Sequence, residues 1–321
     1  MQQDLLTVRV ARKRHEALDI CSFEFTSEDG NTLPSFSAGS HIDVHLPTGG
    51  VRQYSLCNSP TERSRYLIGV LRDPQSRGGS IAMHEQVHEG DRVRISAPRN
   101  HFELERSPAG TILFAGGIGI TPILCMAERL SAAGESFEMH YSTRSRDRTA
   151  FLARIKNAPF AHSVHFHFGD ADASQRLDMR KVLAAPHGGR HLYVCGPRGY
   201  IDAVLEAAKA EGWPEAQVHR EFFAGQVDAA AESDAFQVKI ASTGQCIDVP
   251  QKVSVIEALA AAGIEVPTSC EQGVCGTCIT RVLDGIPDHR DSYLMPHEQA
   301  QNDQFTPCCS RSKTPILVLD L

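Results

Sequence analysis

Nine residues near the C-terminal end constrain this chain more than any other stretch: Cys270-Glu271-Gln272-Gly273-Val274-Cys275-Gly276-Thr277-Cys278, followed at a distance by Cys308. The spacing C-x4-C-x2-C with one remote Cys is the plant-type ligand pattern of a [2Fe–2S] cluster. Gly273 and Gly276 suit a loop that must turn sharply and aim N–H groups at sulfur, because glycine does so without steric cost. A four-thiolate zinc site is the alternative. Structural zinc, however, draws its ligands as two separated pairs, and here three thiols crowd together. Cys309 competes with Cys308 for the fourth position. On an extended segment neighbouring side chains point to opposite sides, so one of the two serves, and Cys308 is the expected ligand.

A cluster of this type carries one electron at a time, at a potential on the order of −400 mV. It has no substrate pocket, so the rest of the 321 residues must supply or consume electrons. That length suits two or three domains. A net charge of −7 argues against a nucleic-acid or anionic-membrane surface. Five of the ten cysteines fall in the last segment and the others are scattered, which points to a reducing, cytoplasmic setting rather than a disulfide framework. The first ten residues lack the apolar core of a secretory leader. The uncharged stretch 111–127 holds Gly116, Gly117, Gly119 and Pro122, and reads as strand, glycine turn and helix start rather than a membrane span.

Residues 1–105 read as an antiparallel β-barrel: short apolar or alternating runs at 6–10, 20–25, 41–46, 52–57, 66–71 and 92–96 are separated by turn signals. One helix interrupts them at 80–87. Gly78-Gly79-Ser80 at its start offers either an anion site or a plain cap. Residues 106–226 alternate strands and helices, hence a parallel α/β sheet. Gly116-Gly117-Ile118-Gly119-Ile120-Thr121-Pro122 stands at the first strand-to-helix turn, with Thr121 as the expected N-cap and Pro122 as the first helical residue. A second glycine-bearing strand end, Cys195-Gly196-Pro197, makes a dinucleotide site the stronger reading of both turns. After a linker at 225–234, residues 235–321 run strand, strand, helix, cluster loop, strand, strand, a compact α+β unit of the β-grasp kind. From Phe236 onward it carries six Lys/Arg against ten Asp/Glu, a surface fit to steer a basic acceptor or simply solvated.

A nicotinamide gives two electrons together and the cluster takes one. A flavin is the usual intermediary, and the barrel is the region left to hold it. Arg52-Gln53-Tyr54-Ser55 resembles the R-x-Y-S motif of ferredoxin-reductase-like flavoproteins. The two glycine turns, Gly78-Gly79-Ser80 and the order barrel, nucleotide domain, ferredoxin extend the likeness. End to end, the chain resembles the phthalate dioxygenase reductase family. Asp288-His289-Arg290-Asp291 and the closing Ser310-Arg311-Ser312-Lys313 match that family too.

The resemblance implies FMN, NADH and a [2Fe–2S] cluster. Arg52 with Gly78, Gly79 and Ser80 would hold the FMN phosphate. Gln53, Tyr54, Ser55, Gly69, Val70, Leu71 and Thr121 would surround its ring, although Leu71 stands where relatives often carry a basic residue. Gly116, Gly117, Ile118, Thr143, Arg144, Cys195, Gly196 and Pro197 would contact the dinucleotide. Ser55, Cys195 and Phe223 would border the hydride-transfer point. Arg144, Arg146 and Arg148 leave NADPH open beside NADH, because Arg accommodates a 2′-phosphate. The implied partner is a Rieske-type non-haem-iron oxygenase. Other readings are a haem monooxygenase as acceptor, a redox sensor, or a zinc-stapled nucleotide-binding protein.

Overall fold

The structure, a computed structural model, describes residues 5–74, 78–172, 176–184, 188–223 and 234–321. The chain forms two compact units, Met1–Glu221 and Phe222–Leu321. The expected linker lies outside the described residues except for Asp234.

The first unit opens with an antiparallel sheet of β1 (Leu6–Ala17), β2 (Ile20–Ser27), β3 (Ser40–His45), β4 (Val51–Ser55) and β5 (Tyr66–Leu71), helix α1 (Gly79–Gln86), then β6 (Arg92–Ile95) and β7 (Arg99–Asn100). The order is β4-β3-β6-β1-β2-β5, with β7 beside β3. Its period-2 pattern places Val8, Val10, Phe23, Phe25, Ile42, Val44, Ile68 and Ile95 in one core, with Met83 and Val87 from the α1 region packed among them. An antiparallel bridge between Leu56 and Ile68 closes the sheet into the expected barrel. Beyond that bridge no strand pairs with residues 69–71 on the β4 side among the described residues.

A parallel sheet follows: β8 (Thr111–Gly116), α2 (Ile120–Ala133), β9 (Phe137–Thr143), α3 (Leu152–Lys156), β10 (Val164–Phe168), α4 (Met179–Leu183), β11 (His191–Cys195), α5 (Arg198–Ala210) and β12 (Val218–Glu221). Every residue of β8 is buried, as a central parallel strand covered on both faces must be. Leu113, Ala115, Met139, Tyr141 and Tyr193 join Ile123, Leu124 and Ala127 of α2 in one core. Ile112, Phe114, Leu192 and Val194 alternate with them and are equally buried. The order β10-β9-β8-β11-β12 reverses direction between β8 and β11, and ligands of open α/β sheets bind at such a switch point. Strand β12 is an element the sequence reading lacks. Helix α2 also begins at Ile120 rather than Pro122, because a 3₁₀ turn at Gly117–Gly119 feeds straight into it. The Thr121 hydroxyl is therefore no cap; it donates to the Ile118 carbonyl at 3.1 Å.

The second unit holds β13 (Phe236–Ile240), β14 (Cys246–Val249), α6 (Val255–Ala261), β15 (Thr280–Asp284), β16 (Pro287–Asp288), α7 (Pro296–Gln299), β17 (Gln304–Phe305), β18 (Arg311–Ser312) and β19 (Ile316–Leu319). The main sheet runs β14-β13-β19-β15-β17, with β13 and β19 parallel. Ser254 and Glu257 form a reciprocal capping box at the start of α6, satisfying two otherwise orphaned N–H groups. Val255 and Leu259 of that helix pack against Val238, Val249 and Leu317.

Candidate flavin and nucleotide site and the cluster loop

Arg52 and the α1 N-terminus, read separately from the sequence, meet in the structure. A Cβ on Gly79 would lie 2.6 Å from Arg52 Nε and 2.9 Å from its Cγ, so only glycine lets this side chain lie across the helix start. A guanidinium above the positive end of a helix suits a phosphate. Gly78, in the left-handed region at φ 87°, turns the chain into that helix. Ser80 Oγ accepts the Asp73 N–H at 3.1 Å, which fixes the loop in front. Tyr54 packs against the barrel core while keeping accessible surface. Gln53 turns the other way and donates to Asp43 Oδ1 at 3.1 Å. Gly69 meets the nucleotide domain, where a Cβ would lie 2.9 Å from the Thr121 methyl. The Val70 carbonyl is engaged by His84 Nε2 at 2.9 Å. The strand edge at 69–71, unpaired by any further described strand, together with Arg52, Tyr54 and Ser55 of β4, fits a flavin.

Across the switch point the two glycine turns lock together. A Cβ on Gly119 would fall 2.3 Å from the Cys195 carbonyl oxygen, and one on Gly196 2.9 Å from Gly116 Cα. Backbone packing therefore explains Gly119 and Gly196, and the Tyr200 ring, 2.8 Å from a Cβ placed on Gly116, explains Gly116. Gly117 differs: it has φ +53° with nothing near its missing Cβ, and it opens toward solvent where a pyrophosphate would approach. Thr143 is buried, bonded to Thr149 Oγ1 at 2.8 Å and donating to the Ser145 carbonyl. Arg144 and Arg146 are exposed, while Arg148 is taken up by Asp19 at 3.2 Å.

The sequence reading missed Glu221, at the end of β12. Ser55 Oγ donates to Glu221 Oε2 at 3.4 Å, and Cys195 Sγ approaches the same oxygen at 4.0 Å. Burial pushes the Glu221 carboxyl up to about 8, against the opposing pull of the Ser55 hydroxyl. The same crowding, with the Glu221 charge, raises Cys195 and keeps it a protonated thiol. Ile118 stands on the first glycine turn, and Pro197, whose ring packs on Gly116, on the second. Phe223 is exposed and belongs to the second unit.

In the cluster loop the Cys270 thiol is in hydrogen-bonding contact with Cys275 and Cys308, and Cys308 also touches Cys278. Cys275, Cys278 and Cys308 are buried. Among the described residues no trio of His, Cys, Asp or Glu converges on one point as a single-metal site needs. A chain of four thiols is instead the arrangement that can divide between two irons, and the donor set fits a [2Fe–2S] cluster. Gly273 and Gly276 both have positive φ, and their missing side chains admit Cys309 Sγ and the Tyr293 ring. The extended segment expected around Cys308 and Cys309 is not what the structure has. Residues 307–309 form a turn rather than an extended run, and both adjacent thiols are buried. Their contact pushes Cys308 up and pulls Cys309 down.

A closed antiparallel barrel, a parallel sheet with its glycine turns at the switch point and a four-thiol ferredoxin loop define a pyridine-nucleotide-dependent flavin and iron–sulfur oxidoreductase. Residues 238–313 match the 2Fe-2S iron-sulfur cluster binding domain. The chain is 57% identical over 313 residues to the vanillate O-demethylase oxidoreductase of Pseudomonas putida, covering 97% of this chain and 98% of that protein. Its fold is similar to the solved phthalate dioxygenase reductase, at TM-score 0.78 and 40% identity over 99% of this chain and 98% of that one. It is also similar to an intact type IV self-sufficient cytochrome P450 monooxygenase, at TM-score 0.85 and 38% identity over 99% of this chain and 41% of that one. The chain belongs to the phthalate dioxygenase reductase family. It is the reductase component of an oxygenase system, taking electrons from NADH through flavin to [2Fe–2S]. Among the described residues no helix is long and apolar enough to cross a membrane.

Proposed function

We propose that this reductase serves a Rieske-type non-haem-iron oxygenase that demethylates methoxylated aromatic acids such as vanillate, in the cytoplasm. The identity of 57% along 97% of the chain to a vanillate O-demethylase oxidoreductase carries the reading. The domains divide as 1–105 for FMN, 106–226 for NADH and 235–321 for the cluster. FMN supplies the step between a two-electron donor and the one-electron carrier.

The chain's own groups do the rest. Arg52 and the Gly78-Gly79-Ser80 helix start bind the FMN phosphate. Tyr54, Thr121 and the edge of Gly69, Val70 and Leu71 border the ring, with Ser55 presenting its hydroxyl, whereas Gln53 is held on the other face by Asp43. Gly116, Gly117, Ile118, Thr143, Arg144, Cys195, Gly196 and Pro197 receive the dinucleotide. Cys270, Cys275, Cys278 and Cys308 bind the cluster. Oxidation of NADH by one-electron acceptors leaves one proton per NADH. Glu221 Oε2, beside Ser55 Oγ, is placed to hold it.

The test is reconstitution of the purified reductase with a Rieske-type vanillate demethylase oxygenase under NADH. Formaldehyde release coupled to NADH consumption is expected. The reading fails if electrons reach a separate haem monooxygenase and not the Rieske protein. That outcome is the second reading, favoured by the likeness to the self-sufficient P450.

A further inference from the structure

Arg144, Arg146 and Arg148 follow β9 in close succession, yet the electron donor is NADH. In a dinucleotide-binding sheet the residues after the second strand meet the adenosine ribose, and an Arg there accommodates the 2′-phosphate that NADPH carries and NADH lacks. A loop with three arginines should favour NADPH unless its charge is engaged elsewhere. Arg144 and Arg146 are exposed. Arg148 is engaged, and its partner comes from the barrel.

The turn between β1 and β2 reaches this loop. Ala17 pairs with Ile20, so Leu18 and Asp19 form a two-residue hairpin turn. Asp19 takes the left-handed conformation at φ 63°, which Asp and Asn tolerate better than most residues. Its carbonyl accepts the Arg72 N–H at 2.7 Å, tying the turn to the chain just past β5. On its other side the Leu18 N–H donates to the Asp147 carbonyl at 2.8 Å, and Arg148 Nη1 donates to Asp19 Oδ2 at 3.2 Å. The loop is compact at this contact: the Arg148 N–H donates to the Ser145 carbonyl at 3.2 Å, and Thr143 and Thr149 bond across it at 2.8 Å. The Arg148 side chain is 37% exposed and that of Asp19 41%. An ion pair so open to water is weak. It can tilt a choice between two ligands without locking the loop.

We propose that Asp19 is a specificity-determining residue for the pyridine nucleotide: by holding the Arg148 guanidinium it withdraws from the loop a cation that a 2′-phosphate would use, and so favours NADH. The inference rests on the reading that Arg144 and its loop receive the dinucleotide. NADPH gains the guanidinium only by breaking the pair with Asp19. NADH, with a neutral 2′-hydroxyl, has no use for it. The difference lies in binding alone, so it belongs in KM and not in kcat.

The test is calorimetric titration of the holoprotein with 2′,5′-ADP, which carries the 2′-phosphate, and with 5′-AMP, which lacks it. Asp19→Asn keeps the turn and its backbone bonds. It should tighten 2′,5′-ADP about threefold to fivefold, the range that an exposed ion pair spans, and leave 5′-AMP unchanged. In dye reduction the KM for NADPH should fall by the same factor at constant kcat, with both constants for NADH unmoved. Adding Arg148→Gln to Asp19→Asn should cancel the gain. Parent affinity for 2′,5′-ADP in Asp19→Asn, or a gain that survives Arg148→Gln, overturns the inference. Arg144→Gln separates it from the reading beneath it: a raised KM for NADH in that variant leaves the nucleotide site standing, and an unchanged one overturns both.

Discussion

Cys270, Cys275 and Cys278 fall within nine consecutive residues. Ser55, Cys195 and Glu221 come from three strands, and the first and last lie 166 residues apart. The cluster loop is held by local means: two glycines at positive φ, a turn at 307–309 and short side-chain contacts. The flavin and nucleotide site exists only because a barrel closes and a parallel sheet reverses its strand order beside it. A contiguous site fails all at once when a ligand is removed. A dispersed site fails by degrees, through charge and proton placement.

The largest effect belongs to the cluster site, tested at its one ligand outside the nine-residue run. Cys308→Ser should remove the visible bands of the cluster and abolish NADH-dependent cytochrome c reduction. Transfer from NADH to a small two-electron dye should continue, because the flavin stands upstream of the cluster. Paired assays on one preparation check this. If dye reduction collapses with cytochrome c reduction, the two regions are not separable in this way.

The smaller site at Glu221 is tested through protons. Glu221→Gln keeps the shape and the bond from Ser55 but cannot gain or lose a proton. The rate of dye reduction by NADH should fall on the order of tenfold to a hundredfold. The parent's pH profile should bend near 8, the value to which burial raises this carboxyl, and the variant should lose that bend. Stability gives an independent sign. The folded value lies above the ordinary carboxylate value of 4.5. The stabilisation from keeping the proton is therefore full below 4.5 and is lost as pH rises through about 8. Glu221→Gln should thus gain stability over the parent in denaturant titrations at pH 9, and a loss there would remove Glu221 from its buried, protonated role.

This contrast also explains what could be read from the chain. C-x4-C-x2-C is visible because its geometry is local, and β8 is visible because a strand buried on both faces is apolar throughout. Arg52 and Gly79 were legible as parts but not as a pair, since nothing in the chain says that one lies across the other. Strand β12 escaped because Val218-His219-Arg220-Glu221 is short and mostly polar. Its alternation into Phe222-Phe223 was the available signal. The raised carboxyl of Glu221 has no sequence signature at all, being a product of burial. The helix start at Ile120 was misplaced because Pro122 is a good first helical residue and the 3₁₀ turn that overrode it depends on Gly119 packing against Cys195.

The smallest predicted effect lies away from both sites, in the nucleotide sheet. His140 on β9 is buried and stacked on His165 and His167. Glu138 lies 3.1 Å from its Nε2 and 3.3 Å from that of His165, and Arg190 sits across Glu138. Burial first, then the His167, His165 and Arg190 charges, pull His140 down to about 3. A histidine depressed on folding binds its proton more readily when unfolded. Its cost is absent above the ordinary value of 6.5 and grows as pH falls from there toward 3. Between pH 7.5 and 5.5 this one group should remove about 1.4 kcal/mol of stability. His140→Phe keeps a flat ring against Phe114, which already stacks on this position. Denaturant titrations at the two pH values should show the parent losing more stability than the variant by about that amount. An equal loss in both would place the acid sensitivity of this unit elsewhere, with His219, pulled down to about 4 mainly by burial, as the next histidine to replace.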